Sequence, residues 1–128
     1  MNYKLQNKKA YLSGLGSMGR RHLKALIKKG CSVDAYDTNI NVFEIAKNDL
    51  LKDGLNYNNL TKVSKPQREY DFAIFAETAP SRLENFKYFL VNSQANKILL
   101  EKPLSSKPDE FNHFLKIAKK FNIEKNIQ

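Results

Sequence analysis

Apolar residues recur along the chain in two alternating rhythms. Short runs at Ala10-Tyr11-Leu12, Ser32 to Tyr36, Phe72 to Ala76 and Lys97 to Leu100 have the length of strands, and Phe72 to Ala76 has the unbroken apolar character of one buried on both faces. Between them lie stretches at helical spacing. Met18, His22, Leu23, Leu26 and Ile27 follow the first run and stop at Lys28-Lys29-Gly30. Val42, Ile45, Ala46 and Leu50 follow the second and stop at Lys52-Asp53-Gly54. Leu83, Phe86 and Leu90 follow the third, with Ser81 and Glu84 at capping-box spacing just after Pro80. Ser106 and Asp109 repeat that spacing ahead of Phe111, Phe114, Leu115, Ala118 and Phe121, with Pro108 in the first turn, where its missing N–H costs little. A weak strand is expected near Leu55 to Asn58, the polar stretch Thr61 to Glu69 reads as the least structured, and Ile123 to Gln128 could begin a sixth strand. Strands alternating with helices of this length predict an α/β domain, a doubly wound, mostly parallel sheet covered on both faces by right-handed crossovers. At 128 residues the chain suits one core, so residues 1–128 are read as a single domain.

Composition narrows the class. Hydrophobic residues make up 41% of the chain and are spread along all of it, which excludes a disordered or low-complexity architecture. No segment approaches the roughly 18 consecutive apolar residues that span a membrane, and no apolar stretch follows the basic start, so a cytoplasmic protein is expected. Cys31 is the only cysteine, which excludes an intrachain disulfide and reads as a small buried filler. The net charge of +9 invites a nucleic-acid reading. Against it, the basic residues are scattered through every segment and no aromatic RNA-binding signature accompanies them. No metal site is assigned.

The chemistry begins at "LSGLGSMGRRHL", which contains G-x-G-x-x-G as Gly14, Gly16 and Gly19. Alone the pattern is weak. Here a strand precedes it, an amphipathic helix follows, and Asp37 closes the second strand 18 residues beyond Gly19. Gly14 then permits a tight turn, Gly16 lets the backbone approach a pyrophosphate, and Gly19 lets the helix lie close on the strand. The segment Gly14, Leu15, Gly16, Ser17, Met18 and Gly19 becomes a phosphate cradle, with N–H groups aimed at an anion from the positive end of the helix dipole. Asp37, followed by Thr38, would accept from the adenosine ribose hydroxyls and repel a 2′-phosphate, which favours NAD over NADP. The bland alternative for Asp37 is a cap of the next helix, and for His22 a packing residue.

Strand, G-x-G-x-x-G-R-x-H, an acid after the second strand and E-K-P after the fifth form a combination more specific than its parts. It resembles the nucleotide-binding half of the glucose-fructose oxidoreductase, inositol dehydrogenase and rhizopine catabolism family of NAD(P)-dependent oxidoreductases. The resemblance runs from Lys9 to near Phe121 and places the family's E-K-P on Glu101, Lys102 and Pro103. It implies that Lys102 is the catalytic group, polarising the oxygen that loses its proton as hydride leaves the carbon. Glu101 would help position the nicotinamide ribose or the lysine, and Pro103 would fix the turn, with a cis Lys102-Pro103 bond one option. Ala76, Glu77 and Thr78 lie at a strand's carboxyl end, where ligands collect. One region departs from the family: "FAETAPSRLENF" puts Arg82 where a histidine is usual and adds the charge of Glu77, which leaves the substrate class open.

The resemblance implies hydride transfer between a nicotinamide and a sugar-like or polyol carbon. Family members add a second domain that builds most of the substrate site and usually the oligomer interface. The 128-residue chain is therefore expected to be a truncated portion that binds the cofactor without turnover, with possible homo-oligomer formation through a sheet edge. Two other readings stand beside it: a non-catalytic dinucleotide-sensing module, and an S-adenosylmethionine-dependent methyltransferase.

Overall fold

The computed structural model describes residues 5–101 and Lys116. Five strands and three helices alternate along it: β1 (Lys9–Ser13), α1 (Ser17–Lys28), β2 (Ser32–Tyr36), α2 (Asn41–Lys52), β3 (Leu60–Lys62), β4 (Glu69–Phe75), α3 (Ala79–Asn92) and β5 (Gln94–Leu100). The strands form one sheet in the order β3-β2-β1-β4-β5, every pair parallel. Leu12, for example, lies level with Ala35 on one side and Ile74 on the other. The order reverses at β1, where the chain moves from building one half of the sheet to building the other, and this makes a crevice at the carboxyl ends of β1 and β4. The expected doubly wound α/β fold is present.

Alternation along the strands divides the core into two layers. Ala10, Leu12, Val33, Ala35 and Ile74 face α1 and α2, packing with Leu23, Leu26, Phe43, Ala46 and Leu50. Tyr11, Tyr70, Ala73, Phe75 and Ile98 face α3 and pack with Phe86, Phe89 and Leu90. The second layer is aromatic, with the Phe75 ring edge-on to Phe86 and Phe89 at centroid separations of 5.3 and 5.5 Å. Phe89, absent from the expected stripe of α3, is fully buried, whereas Leu83 is only partly so and Met18 is exposed. Cys31 is a buried filler as expected, and burial pushes its thiol up to about 11.

Three local expectations are corrected. The third strand is Leu60–Lys62 and not Leu55 to Asn58. Gly54, at φ +74°, closes α2 with Gly54 N–H donating to Leu51 O at 3.0 Å and Leu55 N–H to Leu50 O at 2.9 Å, so Leu55 belongs to the helix stop. Asn56 then turns the chain through its side chain, which accepts from Asn58 N–H. The stretch from Thr61 to Glu69 is an ordered crossover: Pro66 is buried, Val63 N–H donates to Ala35 O, and Gln67 N–H donates to Tyr70 Oη at 2.8 Å. Finally, α3 starts at Ala79 with Thr78 as its N-cap and no side-chain cap, so Ser81 lies inside the first turn and forms no capping box with Glu84. Pro80 is suited to that first turn, which moves the start upstream of Ser81. The helix expected after Ser106, Lys102, Pro103 and the Lys102-Pro103 bond, and the sixth strand lie outside the described residues.

Candidate functional site

The glycine loop fills the gap between β1 and α1, and its three glycines have three different surroundings. Gly14 adopts φ +97°, and a Cβ on it would lie 2.6 Å from Glu77 N, so the turn runs hard against the end of β4. A Cβ on Gly19 would lie 1.9 Å from Gly14 O, so the first turn of α1 rests directly on the loop. A Cβ on Gly16 would meet nothing within 4 Å. The space is open where a pyrophosphate would approach. Gly16 is also the N-cap of α1, without a side-chain cap and with no acid in the first turn. The N–H groups of Ser17, Met18 and Gly19 are thus left without a side-chain acceptor at the positive end of the helix dipole.

Asp37 anchors this loop. Its Oδ2 accepts from Leu15 N–H and its Oδ1 from Asn39 N–H, both at 2.8 Å. The alternative of a helix cap is not what forms: Ile40 is the N-cap of α2, and Asn39 Oδ1 takes the Asn41 N–H. Each Asp37 oxygen keeps lone-pair capacity for a further donor. Arg20 braces the loop from the other side, donating to Leu15 O at 3.0 Å and pairing with Asp49 of α2 at 2.8 Å.

A cleft of about 420 Å³ opens beside the loop, lined by Gly16, Met18, Asp37, Thr38, Ala76 and Thr78 together with Tyr36, Glu77, Ser81 and Asn85. Of the cofactor residues expected from the sequence, Gly14, Gly16, Ser17, Met18, Asp37, Thr38, Ala76, Glu77 and Thr78 are brought together around this opening, whereas Leu15 is buried in the core and Gly19 is buried under the loop, and neither lines it. Tyr36, Ser81 and Asn85 line the opening without being expected at the site, Ser81 having been read only as a helix cap. Tyr36 ends β2 one residue before Asp37, a position that could have marked it, whereas Ser81 and Asn85 became legible only when α3 was found to begin at Ala79.

Glu77 lies at the base of this cleft. Its Oε2 accepts from Ser13 Oγ and from Asn85 Nδ2 at 3.0 Å, while Oε1 is buried with no partner. Burial raises its carboxyl above the ordinary range, against the opposing pull of these hydrogen bonds and of Arg82. Arg82 is 3% exposed and donates twice to Glu77 O, from Nη2 at 2.7 Å and Nε at 3.2 Å. Its guanidinium closes the carboxyl end of β4. Glu101 lies beyond β5 on the far side of the crevice, hydrogen-bonded to His22 of α1, and does not line the cleft. Lys102 and Pro103 lie outside the described residues. Among the described residues no cluster of His, Cys, Asp and Glu could hold a metal ion.

The parallel sheet, the reversal of strand order and the glycine turn onto a bare helix N-terminus define the class: a doubly wound domain of the Rossmann dinucleotide-binding type. Solved structures share this fold. L-tryptophan dehydrogenase from Nostoc punctiforme superposes with TM-score 0.60 at 18% identity over 92% of this chain and 32% of its own. Acetophenone reductase from Geotrichum candidum NBRC 4597, in complex with NAD, gives TM-score 0.54 at 16% identity over 98% and 39%. CAD from Helicobacter pylori, complexed with NADP(H), gives 0.51 at 20% over 90% and 32%. This chain thus spans between 32% and 39% of the length of those proteins. No family model matches the sequence, and no curated protein does.

Proposed function

We propose that this chain is the dinucleotide-binding domain of an NAD(P)-dependent oxidoreductase, with NAD favoured, similar to the glucose-fructose oxidoreductase, inositol dehydrogenase and rhizopine catabolism family. The observation that carries the reading is the uncapped N-terminus of α1 beneath open space at Gly16, with Asp37 at the edge of the same cleft. Three N–H groups at a helix end without a side-chain cap suit a pyrophosphate. The remaining acceptor capacity of Asp37 suits the adenosine ribose hydroxyls, and the cleft lined by Thr38, Ala76, Glu77 and Thr78 takes the adenosine half.

The bound nicotinamide supplies the hydride acceptor or donor; the protein supplies position and charge. Glu101 follows directly on β5, and the resemblance assigns the nicotinamide half of the site to it and to Lys102 and Pro103, the next two residues in the sequence. On that resemblance Lys102 would act electrostatically, its positive charge stabilising the substrate oxygen as hydride leaves the carbon. The substrate is a sugar-like or polyol carbon, and the enzyme is soluble and cytoplasmic.

Calorimetric titration with NADH, NADPH and S-adenosylmethionine tests this. Saturable NADH binding with weaker NADPH binding is expected. Binding of S-adenosylmethionine with neither nucleotide would overturn the reading.

A further inference from the structure

His22 and Glu101 are 79 residues apart, yet their side chains meet, with His22 Nε2–H donating to Glu101 Oε1. His22 stands in the second turn of α1, on the helix whose N-terminus faces the open space at Gly16. Glu101 is tied in its backbone as well, its N–H donating to Phe75 O of β4 at 3.1 Å. The contact is not a solvated surface pair, since the two side chains are only 22% and 18% exposed. Arg82, from α3 on the opposite face of the sheet, is close enough for its guanidinium to feel the Glu101 charge. One carboxylate is thus held by a donor from one helical layer and lies within the electrostatic reach of a cation from the other, at the residue directly before Lys102. A freely solvated glutamate at a strand end would need neither.

We propose that His22 is a positioning residue: by fixing Glu101 against the phosphate-loop helix, it orders the β5 end of the crevice for the nicotinamide riboside half of a bound dinucleotide. This deepens the dinucleotide reading above and rests on it. The physical reason lies in the shared helix. The pyrophosphate is held by the first turn of α1, and the span from there to the nicotinamide half is set by how β5 sits relative to that helix. A side chain one turn further along α1 that grips the β5 end fixes the span before the ligand arrives, so less ordering is left to occur on binding.

The test compares NADH with ADP-ribose, which carries the adenosine and pyrophosphate but no nicotinamide riboside, by calorimetry on the full chain. His22→Ala is expected to weaken NADH about three- to tenfold, the range one net hydrogen bond spans, and to leave ADP-ribose within about twofold. His22→Gln, whose amide nitrogen can stand near the Nε2 position, should recover most of the loss. In a Glu101→Ala background His22→Ala should cost nothing further, because the partner is already gone. Should the alanine variant melt early, His22→Asn, with its amide short of the Nε2 position, gives the same comparison against His22→Gln. Equal losses for both ligands, no loss for either, or a full loss persisting in the Glu101→Ala background would overturn the proposal. Wild-type protein that binds neither ligand would instead overturn the dinucleotide reading on which it stands.

Discussion

Asp37 is engaged from two sides by the backbone, by Leu15 N–H and by Asn39 N–H. A carboxylate used in this way has a structural task, to which the proposed function adds a ligand-facing one. Asp37→Ala is expected to cost about 1–3 kcal/mol in urea unfolding, because a loop N–H loses a charged acceptor. Asp37→Arg should shift the NADH-to-NADPH affinity ratio towards NADPH, and an unchanged ratio would remove Asp37 from the ribose site. Glu77 gives a pH-dependent counterpart. Its carboxyl is raised by burial, so the folded state binds a proton more tightly than the unfolded chain, whose carboxyl sits near 4.5. Stability from this group is present below that value and falls as pH rises through the folded value. Glu77→Gln should therefore show a flatter decline of Tm from about pH 4.5 upward than wild type; parallel curves would contradict the assignment.

At the scale of elements, the glycine loop separates folding from binding. Gly19→Ala would drive a Cβ into Gly14 O and is expected to cost about 1–3 kcal/mol or more, since only backbone can give way. Gly16→Ala meets open space but puts a poorer residue at the N-cap, and should cost about 0.5–1 kcal/mol, measured by chemical denaturation, while weakening NADH at least several-fold if the phosphates approach there. The tight turn at Gly14 and the close packing at Gly19 were legible in the sequence, because a G-x-G-x-x-G between a strand and a helix admits few geometries. The helix stops at Gly30 and Gly54 were legible for the same reason. The third strand was not: Leu55 looks apolar enough for a strand, but the α2 stop claims it. The start of α3 was misplaced because Ser81 and Glu84 have capping-box spacing, whereas Ala79-Pro80 already satisfies a first turn. Contacts between distant elements left no local trace at all, and so the His22–Glu101 bond and the burial of Arg82 appear only in the fold. The same is true of Asp34, buried in β2, which accepts from Tyr70 Oη at 2.7 Å while Lys9 approaches at 3.8 Å. Tyr70→Phe should cost about 1–3 kcal/mol in a denaturant titration, by leaving that buried carboxylate short of a donor.

For the whole molecule, the formal charge of +9 coexists with a candidate site whose proposed affinity for phosphate rests on backbone. The lysines are distributed over helices, strands and loops, while the anion-facing groups are N–H donors at one helix end. Among the described residues no helix is long and apolar enough to cross a membrane. The parallel sheet brings the carboxyl end of β5 and the glycine loop to the same end of the strands, and His22 links α1 to Glu101 just beyond β5. Central to this account is that the N-terminus of α1 receives the phosphates of a dinucleotide. Backbone amide NMR during NADH titration tests it most directly. The account predicts that the largest shifts fall on Ser17, Met18 and Gly19, with Leu15 and Asn39 following through Asp37, and that Gly16→Ala suppresses them. Shifts that leave these amides unmoved, or that gather at the opposite end of the sheet around Lys9 and Asn96, would contradict it.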